Sequence, residues 1–314
     1  MAWSGAVLAA APQQSPPVLQ TAETVTGAAM KQTGTPGPQT PSVGVASMHQ
    51  TGIEEPQLTK VDAREIVRRS VEHDQINWQR AANYTCIEEV TVEKLDGDGK
   101  QKSVDTDTYE WLVLYGQPWR RHLEHNGAPL DAKQAAKEQA KLDRFTADRQ
   151  HETAEQREKR LKETEQNRKR KREFVRDIPN AFDFRVLREE NLRGHEVWVV
   201  DAMPRPDYRG SGREGQVLRK LHATLWIDKS EYQWVKMEGE LLDDVSFGIF
   251  LAKLHKGSTL HLEQSKINGE IWLPQRYIIN AGARIGFISQ RAHITDEFSK
   301  YRKFTAESRI VSAK

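Results

Sequence analysis

The sequence has very little cysteine, with Cys86 as the single example among 314 residues. One cysteine cannot form an intrachain disulfide, so cross-links within the chain are excluded as a source of stability. Cys86 falls in the strand-like run 83–90, where a lone thiol is typical of a small buried hydrophobic residue. It lies too far along the chain to be a lipid-modified cysteine behind an N-terminal apolar segment.

Long apolar runs and a dominant charge are also missing. No segment approaches the roughly 20 consecutive apolar residues that a membrane-spanning helix needs. Lys and Arg number 47 against 45 Asp and Glu, a net charge of +2, so the basic excess typical of nucleic-acid binding is absent. With 37% hydrophobic and 29% charged residues, part of the chain should be extended or fully solvated.

The motifs of common enzymes and cofactor sites are absent as well. There is no G-x-S-x-G elbow, P-loop or H-E-x-x-H, and Cys86 has no nucleophile signature around it. We therefore predict no catalytic residue, no cofactor and no enzyme activity.

Two short motifs are better explained by structure than by binding. The G-x-G-x-x-G pattern at 210–215 is separated from the preceding strand by residues 204–209, whereas a dinucleotide site needs a strand that leads straight into the first glycine. We predict a flexible loop there. His122 and His125 have an odd spacing on a predicted strand, which places them on opposite faces and predicts no metal site.

The N-terminal fifth of the chain differs from the rest. Residues 1–11 resemble the end of a secretory signal peptide, with an A-x-A pattern at Ala9 and Ala11 but without a basic start. An Ala-rich disordered terminus is the alternative. Residues 12–58 are rich in Pro, Thr and Gly. Seven of the 13 prolines of the chain lie in this segment, the last of them Pro56. They predict a disordered linker, and the two segments together predict export to the periplasm or cell envelope.

The folded part is predicted over residues 59–314. Asp62 should cap a first helix and form a capping box with Glu65. Period-two runs joined by short turns predict an antiparallel meander rather than a parallel sheet. The nine or ten predicted strands lie at 84–94, 103–115, 119–125, 184–190, 195–203, 221–228, 233–242, 259–267, 272–283 and 287–298.

A charged segment at 131–176 interrupts the β pattern. It contains no Gly or Pro and is dominated by Ala, Glu, Lys, Arg and Gln, which predicts one long helix. A helix that is polar all round has no face to dock, so we predict an arm that projects into solvent. Its basic run is a candidate site for a protein partner or an anion, with a solvated helix end as the alternative: Arg168, Lys169, Arg170, Lys171 and Arg172.

The later strands are apolar on both faces. Residues 197–200 and 225–227 run without alternation, and 245–254 is the most hydrophobic segment of the chain. Strands of this kind must be covered on both sides. We predict a concave apolar cavity, with a closed core that has no cavity as the alternative. The candidate lining residues are Trp198, Ile227, Trp234, Phe247, Phe250 and Trp272.

Two of these segments resemble a known family. Residues 225–238 (LWIDKSEYQWVKME) and 268–274 (NGEIWLP) are similar to hairpins of the bacterial outer-membrane lipoprotein carrier and receptor family, of LolA, LolB and RseB type. The resemblance implies an α+β fold, a curved antiparallel sheet that forms an incomplete barrel around helices. It also implies a non-enzymatic envelope protein whose partners are lipid, acyl chains or lipoproteins. The Pro-rich leader and the charged arm depart from the family pattern, and an envelope protein bound by the arm is the alternative function.

Overall fold

The structure is a computed structural model that describes residues 62–96, 99–170, 172–210, 212–247, 252–285 and 288–304. The predicted signal-peptide remnant at 1–11 and the predicted linker at 12–58 lie outside the described residues. In the described part, the chain forms five helices: α1 (Ala63–Ala81), α2 (Ala132–Gln150), α3 (Ala154–Arg170), α4 (Glu173–Ala181) and α5 (Gly212–Leu218).

The described residues also form thirteen strands in a single sheet. They are β1 (Tyr84–Leu95), β2 (Gln101–Leu114), β3 (Gln117–His125), β4 (Ala128–Pro129), β5 (Phe182–Leu192), β6 (His195–Pro204), β7 (Leu221–Asp228), β8 (Trp234–Leu241), β9 (Val245–Phe247), β10 (Ala252–Leu254), β11 (Thr259–Ile267), β12 (Ile271–Ile285) and β13 (Ile288–Lys303).

All strand pairs are antiparallel, as predicted. The order is β4-β3-β2-β1-β13-β12-β11-β8-β7-β6-β5, with β10 pairing to β12 and β9. Turn chemistry accounts for the hairpins: at the tip between β11 and β12, Asn268 and Gly269 have φ of +53° and +70°, the left-handed values that a tight hairpin turn requires. The predicted α+β class with an antiparallel sheet is confirmed.

The sheet curls strongly without closing. His195 begins β6 and Trp272 lies in β12, so four strand spacings, about 19 Å in a flat sheet, would separate them. Their ring centroids are instead 4.7 Å apart. Within the described residues β4 and β5 remain the two edges, so the sheet is an incomplete barrel.

Helices α1 and α4 cover one face of this sheet. Ile66, Val67 and Val71 of α1 are at most 8% exposed and belong to the same apolar cluster as Val200 and Ile227 of the sheet. The 3.6-residue period of α1 places these side chains on one stripe. The predicted wrapping of the sheet around helices is confirmed.

The opposite face of β6 is buried too. Alternation along a strand points Val197 and Val199 away from Val200, and both are fully buried in a second cluster. Trp226, Val235 and Trp272 are its other buried members. The curl of the sheet therefore supplies the second covering that these non-alternating strands require.

The charged insertion is helical but is not one helix. Residues 151–153 separate α2 from α3, and α4 follows after residue 171. Thr153 caps the start of α3. The Gln156 backbone N–H donates to the Thr153 hydroxyl at 3.2 Å, and the Thr153 backbone N–H donates to the side-chain oxygen of Gln156 at 2.9 Å. This capping box starts a new helix, which the absence of Gly and Pro did not reveal.

The insertion also docks on the sheet, so the prediction of an arm standing clear in solvent is wrong. Phe145 packs on Trp119 with ring centroids 4.6 Å apart, and the Gln117 amide donates to the Thr164 hydroxyl at 2.6 Å. A Cβ at Gly116 would lie 3.0 Å from the Leu161 side chain. A few apolar contacts and hydrogen bonds hold α2 and α3 on the sheet, although no residue of these two helices is buried.

The start of α1 differs from prediction in one detail. The Asp62 carboxylate caps the helix by accepting from the Arg64 backbone at 3.0 Å. Glu65 does not return a bond to Asp62 but pairs with Arg68 and Arg69 at 2.7 and 2.8 Å. Ion pairs three and four residues along the helix compete successfully for its carboxylate.

Candidate apolar ligand site

A cavity of about 190 Å³ lies between the helices and the sheet. Its walls come from α1, α4 and α5 and from strands β5–β8 and β10–β12. Most of the lining is aliphatic or aromatic, as in Val175, Ile178, Leu225, Met237, Leu262 and Ile279. The alternative of a closed core without a cavity does not hold in this structure.

The volume sets the size of what the cavity can hold. An engineered cavity of about 150 Å³ accommodates benzene, with six carbons. By the same ratio this cavity holds roughly eight carbons, the length of a medium acyl chain or part of a longer one.

The structure separates the six residues that were predicted to line the cavity. Trp234 and Trp272 line it. Trp198 and Ile227 are buried in the adjoining apolar cluster but are not part of the wall. Phe247 ends β9 with its backbone alone described, and Phe250 lies outside the described residues.

Hydrogen bonds from α1 fix the two lining tryptophans. The Trp234 indole donates to the Ser70 hydroxyl at 2.9 Å, and Ser70 itself donates to the Val67 carbonyl at 2.8 Å. The side chain of Asn77 accepts from the Trp272 backbone at 2.9 Å and donates to its carbonyl. These buried polar contacts hold α1 at a set distance from the sheet, and that distance keeps the cavity open.

A buried ion pair borders the cavity. The Arg172 guanidinium donates to the Asp74 carboxylate, and the two side chains are 8% and 12% exposed. Burial lowers the pKa of Arg172 to about 10, while the nearby Tyr277 acts in the opposite direction, so the guanidinium stays charged at neutral pH. Sequence patterns gave no indication of this pair, because its members are 98 residues apart.

The predicted basic run is divided between interior and surface. Arg172 pairs with Asp74, and Arg168 lies over the Trp78 ring at 4.5 Å. Lys169 and Arg170 are exposed, and Lys171 lies outside the described residues. The run is therefore not one continuous surface patch in the described part of the chain.

A second polar cluster occupies the helix-facing side of β1 and its neighbours. Glu88 accepts from the Trp111 indole at 2.8 Å and from Arg120 at 2.5 Å. Burial, together with the nearby Glu88 carboxylate, raises the pKa of Asp296 to about 8. Burial likewise raises the pKa of the Cys86 thiol, so this cysteine is an inert buried residue, as predicted.

His122 and His125 point to the same side of β3, contrary to prediction. The register slips between Thr108 and Tyr109, so that one residue of β3 bulges out and the odd spacing is compensated. Both imidazoles contact the same Asp107 oxygen, at 2.9 and 2.8 Å. Among the described residues, however, no group of three or more His, Cys, Asp or Glu is arranged to hold a metal ion.

The glycine-rich motif at 210–215 is also partly different from prediction. It runs into the short helix α5 rather than remaining a loop, and Val217 and Leu218 of that helix line the cavity. The surroundings are antiparallel, as expected. In the described part of the chain, no helix combines the length and apolarity needed to cross a membrane.

Comparison with known proteins gives matches in structure only. No protein-family model matches the sequence, and the search of curated proteins gave no match. A DUF1329 family protein from Desulfovibrio piger is 12% identical over 78% of this chain and 95% of its own, with a TM-score of 0.29. A LolA superfamily protein from Nitrosomonas europaea is 13% identical over 81% and 98%, with a TM-score of 0.28.

The MucA/MucB complex of Pseudomonas aeruginosa is a third similar structure, 11% identical over 78% of this chain and 100% of the matched chain, with a TM-score of 0.24. At these TM-scores the likeness carries no argument about the fold or the site of this chain.

Proposed function

We propose that this protein is an exported binding protein that holds one medium-length acyl chain in the cavity between the sheet and helices α1 and α4. The observation that carries the proposal is the apolar cavity itself, about 190 Å³ in volume. An empty apolar space of this size costs stability, and a buried alkyl chain would recover the lost contacts.

The expected affinity follows from the number of buried carbons. About eight methylene equivalents at about 0.8 kcal/mol each give roughly 6 kcal/mol. This corresponds to a Kd on the order of tens of micromolar. Such binding is reversible, as a carrier or sensor requires, and no catalytic step is proposed.

Localisation in the periplasm or cell envelope is part of the proposal. Its support is the apolar N-terminal run with A-x-A at Ala9 and Ala11, followed by the Pro-rich segment 12–58. Edman sequencing or intact mass measurement of the protein recovered from a bacterial periplasmic fraction tests it. An uncleaved cytoplasmic product would contradict export.

The binding proposal is tested by native mass spectrometry of gently purified protein, followed by displacement of N-phenyl-1-naphthylamine with octan-1-ol. Ala223→Leu places three more carbons into the cavity wall and should weaken octanol binding at least tenfold. Ala63→Leu adds the same volume to the helix-covered core away from the wall, and it should leave binding intact. Equal binding by all three proteins, or no binding by the unaltered one, would refute the proposal.

A second candidate function uses the exposed cations of the insertion to bind an acidic segment of an envelope protein. Lys169, Arg170 and Arg176 are exposed around one shallow hollow where α3 meets α4. Lys169→Glu with Arg170→Glu should abolish binding of a labelled oligoglutamate peptide at low salt. Lys133→Glu with Lys137→Glu makes the same charge change on exposed positions of α2 and should leave the binding of the peptide intact. An equal loss of binding in both double variants would mean that only the net charge of the protein matters.

A further inference from the structure

We propose that the cavity continues into an outer groove on the sheet, formed by Ile294 of β13 and Val92 of β1, and that the ligand is a single unbranched chain of about sixteen carbons. This inference rests on the proposed function and adds the length and shape of the ligand. It comes from the register of the sheet, because residues paired across neighbouring strands lie on the same face.

One cross-strand row forms the floor of the cavity. Ala202 of β6 pairs with Ala223 of β7, which pairs with Gly239 of β8. Gly239 pairs with Leu260 of β11, which pairs with Ile279 of β12. All of these residues except Gly239 line the cavity. The row crosses the strands, so a straight chain that lies along it passes one strand about every 4.8 Å.

Exposure increases along this row. Ala202 and Ala223 are 2% and 5% exposed, because helices cover the sheet at this end. Leu260 and Ile279 are half-buried. The gradient places the open end of the cavity beside β12.

The same row continues beyond the cavity. Ile279 pairs with Ile294, and Ile294 pairs with Val92. Ile294 and Val92 are half-buried, and they belong to none of the buried apolar clusters in the described part of the chain. They therefore extend the apolar surface of the cavity outwards through Ile279.

The outer groove is narrow. Alternation places Asp296 beside Ile294 on β13 and Lys94 beside Val92 on β1, on the same face of the sheet. Polar groups thus limit the apolar surface of each strand to two neighbouring side chains, about 7 Å apart. A helix with its side chains is about 10–12 Å across. The groove therefore fits a single alkyl chain better than a helix of a partner protein.

The register also gives the length of the ligand. Ile279 and Val92 are two strand spacings apart, about 10 Å, which an extended alkyl chain spans with roughly eight carbons. The cavity holds roughly eight more. The next residue of the row is Asp105 of β2, paired with Val92, and its side chain is 41% exposed. The apolar surface ends there, so the head group lies in water.

The test compares octan-1-ol with dodecan-1-ol by displacement of N-phenyl-1-naphthylamine. The four extra carbons lie against Ile294 with one side open, so dodecan-1-ol should bind the unaltered protein about tenfold more tightly. Ile294→Asn should reduce this gain to less than about threefold. It should leave the affinity for octan-1-ol unchanged, because an eight-carbon chain stays within the cavity.

The matched control is Ile278→Asn. Ile278 is also half-buried, but it lies next to Ile279 on β12 and therefore on the opposite face of the sheet. This variant makes the same chemical change outside the groove. It should keep the full gain from eight to twelve carbons.

A second variant tests the far end of the groove. Val92→Asn should weaken the binding of hexadecan-1-ol, delivered from cyclodextrin, by about 3- to 10-fold. It should leave dodecan-1-ol unaffected, because a chain of twelve carbons ends near β13. Thermal unfolding shows whether each variant is folded, and Val92→Asn decides the matter if Ile294→Asn does not fold.

The outcomes separate this inference from the proposed function. If octan-1-ol does not bind the unaltered protein, the proposed function fails. If octan-1-ol binds but dodecan-1-ol binds no more tightly, the cavity ends at β12 and the groove takes no part. The groove is also excluded if Ile294→Asn and Ile278→Asn show the same gain, or if Val92→Asn binds hexadecan-1-ol as the unaltered protein does.

Discussion

The ion pair between Asp74 and Arg172 should dominate the attachment of the insertion to the folded core. It joins α1 to Arg172, the residue directly before α4, and both side chains are about nine-tenths buried. Arg172→Met leaves the Asp74 carboxylate buried without its cation. We expect the free energy of unfolding to fall by about 3–5 kcal/mol, the usual cost of breaking such a pair from one side.

The double variant Asp74→Leu with Arg172→Met removes both charges together. Because a buried pair and a well-packed apolar replacement differ little in stability, the double variant should lie within about 1–2 kcal/mol of the unaltered protein. Both variants lack the Arg172 guanidinium that lies over the Trp78 ring. The difference in stability between them therefore does not include the loss of that contact. Urea unfolding followed by tryptophan fluorescence provides the measurement.

An exposed ion pair provides the control. Arg68 contacts Glu72 at 2.5 Å with side chains 48% and 59% exposed, so Arg68→Met should cost less than about 1 kcal/mol. If Arg172→Met costs no more than Arg68→Met, or if the double variant is as unstable as the single one, burial does not give this pair its importance.

Two further predictions concern the sheet and its contact with the insertion. Burial raises the pKa of Asp296 to about 8 on β13, where it faces Glu88 of β1, Arg120 of β3 and Tyr277 of β12. The folded state therefore holds this proton more tightly than the unfolded chain, and the resulting stabilisation is complete below about pH 4 and lost as pH rises through about 8. In the unaltered protein the free energy of unfolding should fall by a value on the order of 3 kcal/mol between about pH 5 and pH 9. Asp296→Asn should remove this fall, and parallel pH profiles of the two proteins would contradict the prediction. Gly116→Ala should destabilise the protein by about 1 kcal/mol more than Gly127→Ala, because both glycines have φ near +75° but only the Cβ at 116 meets Leu161; equal melting temperatures would refute the contact.

Much of the fold was predictable because its signals are local. The period-two runs and the Asn268–Gly269 turn act over a few residues, so they indicate strands and hairpins without knowledge of the rest of the chain. The helical content of the insertion was predictable for the same reason. Its break at 151–153 depends on the capping box between Thr153 and Gln156, which ends one helix and starts the next without Gly or Pro.

The site was only partly predictable. Apolar strands such as 197–200 required cover on both faces, which predicted that Trp234 and Trp272 would be buried near a concave surface. The same pattern could not distinguish wall residues from Trp198 and Ile227 in the packed core. That distinction depends on where α1 and α4 stand relative to the sheet, which no local pattern records.

Periodicity, turn chemistry and composition were enough to specify the antiparallel strands, the capping of the first helix at Asp62 and the need for a sheet covered on both faces. Three other features arise only when the chain is folded: Arg172 reaches Asp74, His122 and His125 share a face, and a cavity remains beneath the helices. Each of these depends on a bulge, a docking or a curl that brings together residues far apart in the chain.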